Sequence, residues 1–185
     1  MSFFHNFKSY KAEATAEFYG LIGPMLSNPR VQRLNQYTQH KKYTRLRHSL
    51  DVAYFSFLIT KFLHWDSRSV ARAGLLHDMF YREDSEPNCW KHMKEHPVEA
   101  LENARMVCAL NEVEEDIILK HMWLVNWTPP KYKEGFVVTF VDKFCAMREW
   151  SAGLISGAER QCIVDRVPIP IPAYADISAQ NPETA

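Results

Sequence analysis

Glycine is scarce in this chain, 6 of 185 residues, and no glycine-rich loop of the kind that cradles phosphates occurs in it. That scarcity argues against a turn-rich β-protein, whose tight turns need residues free to take positive φ. Cysteine is sparse as well: Cys89, Cys108, Cys145 and Cys162 lie far apart without a CxxC pair, so neither a zinc ribbon nor a disulfide framework is indicated. An excess of either charge is also missing, because 22 basic side chains balance 22 acidic ones, and with it goes the footprint of a nucleic-acid binder or a polybasic membrane surface. The first ten residues hold no apolar leader, since His5, Asn6 and Lys8 interrupt the aromatics, and the longest apolar stretch, Val52 to Ile59, is too short to span a bilayer. No internal repeat is visible. A cytoplasmic protein in a reducing setting is expected, with no membrane and no nucleic-acid partner, and composition leaves the oligomeric state open.

What is abundant is apolar residues at helical spacing. Phe7, Tyr10, Ala14, Phe18 and Leu21 predict a first helix that stops near Gly23-Pro24. Asn28-Pro29 reads as a cap and first turn of a short helix ending around His40. Tyr43 to Leu63 is apolar nearly all round and predicts the most buried helix, with Ile59 and Phe62 counted in its core. Asp66 or Ser67 caps the next helix, which runs to His77-Asp78, and Gly74 marks a place where a neighbouring helix can approach closely. Tyr81 to Trp90 reads as a connecting loop, and Pro97 as the first residue of a helix whose cap is His96. Asn111 opens a helix with Glu112, Glu114 and Glu115 in a solvated first turn and His121 at its end. Trp123 to Lys133 is an aromatic loop, and Phe136 to Trp150 a last helix with Phe136, Val137, Phe140, Val141, Phe144 and Met147 as its apolar positions. The expectation is an all-α fold of about six or seven helices: one domain over 1–164 with its core at about 40–150, then a Pro-rich extension over 165–185.

Within these apolar helices sit residues that do not belong in a core unaided. His77-Asp78 ends an apolar run, and His48, His96, His121 and Asp142 each lie at an edge of, or inside, another. A buried ionised carboxylate costs several kcal/mol unless a cation, a hydrogen-bond network or a metal offsets it. Four histidines and two aspartates, without thiolate, suit two divalent metals. His40, among Gln39, Lys41 and Lys42, and His92, beside Lys91 and Lys94, are expected to be solvated instead. Two dications with two carboxylates leave about two positive charges in excess, so the natural ligand is an anion. Arg45, Arg47 and Lys143 are the local cations; helical phase puts Arg45 nearer the side of His48 than Arg47.

The order His48, then His77-Asp78, then Asp142 resembles the metal-dependent HD superfamily over roughly residues 40 to 150. The surrounding Leu46-Arg47-His48-Ser49, Ala73-Gly74-Leu75-Leu76-His77-Asp78 and Asp142-Lys143 carry the same likeness. The resemblance implies one metal held by His48, His77, Asp78 and Asp142 and a second by His96 and His121, with Asp78 bridging. It implies iron first, with manganese, cobalt, nickel or zinc as alternatives. A metal-dependent phosphohydrolase follows, cleaving a phosphoester of a small metabolite or nucleotide with a bridging hydroxide, with Asp78, Arg45 and Lys143 as catalytic residues. Diiron oxygenases of the same superfamily use a similar ligand set and form the alternative; a non-catalytic nucleotide-sensing domain is a third reading, disfavoured because no ligand position is lost. Glu83-Asp84 falls later after the HD pair than in guanosine tetraphosphate hydrolases, and the paired histidine and Gly-Tyr-Pro signature of cyclic di-GMP phosphodiesterases are missing, so neither activity is expected.

Overall fold

A computed structural model describes residues 2–39, 43–82 and 89–152, with side chains described at 12–39, 43–82 and 94–151. These residues belong to one compact unit, Met1–Gly153. The expected solvated His40 and His92 side chains, the loop at 83–88 and the Pro-rich extension lie outside the described residues, as do the side chains of Cys89 and Cys162; Cys108 and Cys145 are free thiols.

The described chain is mostly helical. It runs α1 (Ser2–Leu26), α2 (Pro29–Gln32), a 3-10 turn (Arg33–Gln36), a minimal hairpin of β1 (Thr38–Gln39) and β2 (Tyr43–Thr44), α3 (Arg45–Phe62), α4 (Ser67–Leu76), α5 (Cys89–Arg105), α6 (Glu112–Lys120), α7 (Trp123–Asn126) and α8 (Lys133–Ala152). The hairpin pairs Thr38 with Thr44 and Gln39 with Tyr43, antiparallel. Among the described residues no helix is long and apolar enough to cross a membrane.

Several boundaries follow from local side-chain chemistry. Asn28, Thr44, Asp66 and Asn111 each accept a backbone N–H of the first turn, satisfying a donor that the helix itself leaves unpaired. Asn111 and Glu114 complete a reciprocal capping box. Glu114 departs from expectation in another way: it is 2 % exposed, and its carboxylate accepts a hydrogen bond from Arg72 of α4, tying α6 to α4. The first helix passes the expected stop: Pro24 falls in its last turn and costs one backbone hydrogen bond, and the burial of Ile22, Met25 and Leu26 around it holds the helix across that point.

α3 and α4 form the centre, and Gly74 is the reason they can approach so closely. A Cβ at Gly74 would lie 2.7 Å from the Ala53 Cα, so any side chain there would push the helices apart. Val52, Ala53 and Phe57 of α3 and Val70, Ala71, Ala73 and Leu75 of α4 are fully enclosed. α1 adds Phe18, whose ring meets Tyr54 and Phe57 of α3.

Two helices present faces other than those expected. On α8 Glu134, Gly135, Val138, Thr139, Val141, Asp142, Cys145 and Glu149 are buried, whereas Phe140, Phe144 and Met147 are exposed. On α3, Ile59 and Phe62 at the C-terminal end are exposed too. In both helices apolar residues surround the axis, so polarity did not mark the inner face; packing against the neighbouring helices chose it. The loop expected at Trp123–Lys133 begins with one helical turn, α7, closed by Trp127 in the left-handed region at φ 57°.

Candidate metal centre

Each of the six expected side chains is carried inward by a helix or its cap. His48 lies in the first turns of α3, His77 caps the C-terminus of α4 and Asp78 follows it. His121 caps the C-terminus of α6, and Asp142 sits in the middle of α8. His96 lies inside α5 and not at its cap, because that helix continues through Pro97 from Cys89; Pro97 costs one backbone hydrogen bond, and both residues are buried, so packing holds the helix across them.

The structure brings all six together. His48 and His77 are fully enclosed, His121 is 1 % exposed, and Asp78, Asp142 and His96 are buried. Donor atoms form three groups whose members lie within 4.8 Å of one another: His48, His77 and Asp78; His77, His121 and Asp142; and Asp78, His96 and His121. Asp78 stands between two sets. Its Oδ2 is 3.4 Å from His77 Nε2, while its Oδ1 is 3.3 Å from His96 Nε2 and 3.4 Å from His121 Nε2. Asp142 Oδ1 lies 3.0 Å from His48 Nε2 and 3.8 Å from His77 Nε2.

Ring orientation is fixed from behind. His77 Nδ1 is 2.8 Å from the Gly74 carbonyl and His121 Nδ1 is 2.8 Å from the Ile118 carbonyl, so each ring donates there and turns Nε2 toward the carboxylates. His77 Nε2 is buried without a hydrogen-bond partner. In the neutral ring that atom is an acceptor facing carboxylate acceptors, a set of lone pairs that a cation satisfies best. The two Nε2 atoms of His96 and His121, 2.9 Å apart, converge in the same manner on Asp78.

Electrostatics divide the cluster. Burial alone would lower the His48 pKa, but hydrogen bonds to Asp142 and Glu149 outweigh it and lift the ring to about 10. His77 is raised as well, burial being overcome chiefly by the Asp78 charge. His121 goes the other way, to about 4, because burial dominates over its bond to Asp78 and the neighbouring His77 and His96 add to the effect. Burial pushes both aspartates upward but loses to nearby cations, so Asp78, facing His77, His121 and His96, and Asp142, facing Lys143, His48 and His77, are held well below the ordinary carboxylate range.

Two basic residues expected to be catalytic fare differently. Lys143 Nζ is 2.6 Å from Asp142 Oδ2 and its side chain is 28 % exposed, so it touches the cluster and reaches solvent. Arg45 is fully buried, donates to the Phe80 carbonyl at 2.9 Å, and stacks over the Phe80 ring at 3.6 Å. Helical phase put Arg45 on the inner side of α3, and there it clamps the chain just after Asp78. Arg47 pairs with Asp51, which also meets Arg148.

Two further residues at the cluster carried no sequence signal strong enough to single them out. Gln39, 7 % exposed on β1, donates through Nε2 to Asp78 Oδ2 at 2.9 Å. Glu149, fully buried, places both carboxylate oxygens 3.0 Å from His48 Nδ1. Its spacing of seven from Asp142 puts the two on one face of α8, a pattern legible only once Asp142 is known to point inward.

Comparison with known families agrees with this geometry. A model of the HD domain family matches residues 45–147, more than half of the chain, spanning His48, the His77-Asp78 pair and Asp142. Searches of curated proteins and of solved structures return no match. The chain therefore belongs to the HD domain family, whose members are generally metal-dependent hydrolases.

Proposed function

We propose that this protein is a phosphohydrolase that holds two divalent metal ions and acts on a small phosphorylated metabolite or nucleotide. The observation that carries the reading is the stance of Asp78, one oxygen toward His77 and the other toward His96 and His121, which is how a carboxylate shared by two ions would lie. His48, His77, Asp78 and Asp142 would hold the first ion, and Asp78, His96 and His121 the second. The all nitrogen-and-oxygen donor set suits iron, manganese, cobalt, nickel or zinc. When bound, the pair supplies positive charge against phosphoryl oxygens and acidifies water, so that hydrolysis proceeds near neutral pH.

The chain's own groups do the rest. The carbonyls of Gly74 and Ile118 hold the His77 and His121 rings with Nε2 forward. Gln39 keeps Asp78 from rotating. Lys143, beside Asp142 and partly exposed, is placed to meet an anionic substrate group entering from solvent, a charge-assisted contact worth roughly 1.5–3 kcal/mol. Arg45 anchors Phe80, whose ring lies 4.9 Å from His96, and so stiffens the wall beside the second ion.

The test is a screen of phosphomonoesters and nucleotides with protein stripped by chelator and reloaded with manganese, cobalt or iron, under air and without oxygen. Turnover restored by metal, with no need for oxygen, is the expected result. Oxygen consumption with a mixed-valent diiron signal, and no anaerobic turnover, would replace hydrolysis with the oxygenase reading.

A further inference from the structure

His48, His77 and His121 are not held alike at Nδ1. His77 and His121 sit at helix C-caps, where a carbonyl one turn back, Gly74 or Ile118, is within reach of Nδ1. His48 lies inside the first turns of α3, where the carbonyls behind it are engaged in the helix ladder. Its Nδ1 is met instead by Glu149, from two turns beyond Asp142 on α8, with both oxygens at 3.0 Å. Glu149 is fully buried and lies past the end of the family match at residue 147.

We propose that Glu149 is a positioning residue for the first metal: it takes the Nδ1–H of His48 and thereby fixes Nε2, on the Asp142 side, as the ligand atom. This rests on the two-metal reading above. A carboxylate behind a ligating imidazole differs from a carbonyl in carrying full negative charge, which makes the ring a stronger donor. Because α8 supplies both Asp142 and Glu149, one rigid helix grips His48 from its two nitrogens. Among the described residues no carboxylate plays that part for His121, whose Nδ1 faces the neutral Ile118 carbonyl. The first ion is therefore the tightly held one and the second the exchangeable one.

The experiment uses the full chain, titrated with cobalt against a chromophoric chelator, in wild type, Glu149→Leu and Glu149→Gln, with visible absorption recorded throughout. Leucine keeps the volume and removes the acceptor; glutamine keeps an acceptor and removes the charge. Glu149→Leu is expected to weaken the tighter cobalt site by roughly 10- to 100-fold and the weaker site by less than about 3-fold. Glu149→Gln is expected to restore most of that affinity while shifting the absorption of the tighter site, because the ring has lost its anionic partner. A merely structural role would lower thermal stability without moving either affinity or the spectrum, and that outcome overturns the proposal, as does equal weakening of both sites. Should the leucine variant not fold, the glutamine spectrum decides: an unchanged band contradicts the assignment. A wild-type protein that takes up no cobalt overturns the metal reading itself, and this inference with it, which separates the two failures.

Discussion

The two halves of the cluster are built by different means. His48, His77 and Asp142 come from α3, α4 and α8, the helices at the centre of the fold, and Glu149 stands behind them. His96 and His121 come from α5 and α6, where α5 runs through Pro97 and the rings are backed, in the case of His121, by a carbonyl alone. The first half is rich in anions, which lift His48 to about 10; in the second, burial wins and His121 falls to about 4. One half is assembled by the core and would survive without a ligand as a network of charged pairs. The other has two ring nitrogens 2.9 Å apart and one shared carboxylate oxygen to organise them.

The sharpest way to erase the difference is to remove the residue the halves share. Asp78→Ala is expected to lose both ions and at least about a thousandfold in turnover, since its two oxygens face the two sets of histidines. Metal analysis of the purified variant checks it; retention of two ions per chain would show that Asp78 does not bridge. A change beneath the first half should act through packing instead. Gly74→Ala would set a Cβ 2.7 Å from the Ala53 backbone, so a loss of about 1–3 kcal/mol is expected in denaturant unfolding, together with weaker binding of the first ion as the His77 ring shifts.

Lys143 and Arg45 separate contact with substrate from support of the wall. Lys143→Ala is expected to raise KM or lower kcat/KM by roughly tenfold to a hundredfold for a phosphorylated substrate while leaving the unfolding midpoint nearly unchanged. Arg45→Met is expected to do the reverse, lowering stability with a smaller effect on KM, because the Phe80 carbonyl loses its donor. Steady-state kinetics and thermal melts on the same preparations decide between them.

Protonation gives the smallest and most specific contrast. In the metal-free protein at pH 7.5 His48 keeps its proton, since its pKa is raised to about 10, and a neutral ring is needed for ligation. Filling the first half should therefore release roughly one proton or more, and its apparent affinity should climb with pH until about 10. His121, lowered to about 4, is already neutral and has no proton to give, so the second half should release fewer. Calorimetry in buffers of differing ionisation heat measures both.

Much of the scaffold was legible because its signals are local. Asn28, Asp66 and Asn111 announced helix starts through their own side chains, and Gly74 marked the α3–α4 approach because no other residue fits there. The six candidate ligands stood out as polar residues in apolar text. The inner face of α8 was not legible, since Phe140, Phe144 and Met147 are as apolar as Val138 and Cys145, and the neighbours alone decide which are buried. Glu149 was hidden for the same reason: near a helix end a glutamate reads as solvated, and only the inward turn of Asp142 two turns earlier reveals it. Gln39 lies on a two-residue strand with no periodicity to betray it. The full burial of Arg45 was not legible either, because helical phase gives the direction around an axis and the neighbours set the depth.

The central claim, that one fold holds two unlike metal positions sharing Asp78, is tested most directly by the metal content of His121→Ala beside wild type after equal dialysis. Two ions per chain are predicted for wild type and one for the variant, with the unfolding midpoint of the stripped proteins little changed. Loss of both ions together from His121→Ala, or an unchanged count of two, would contradict the account.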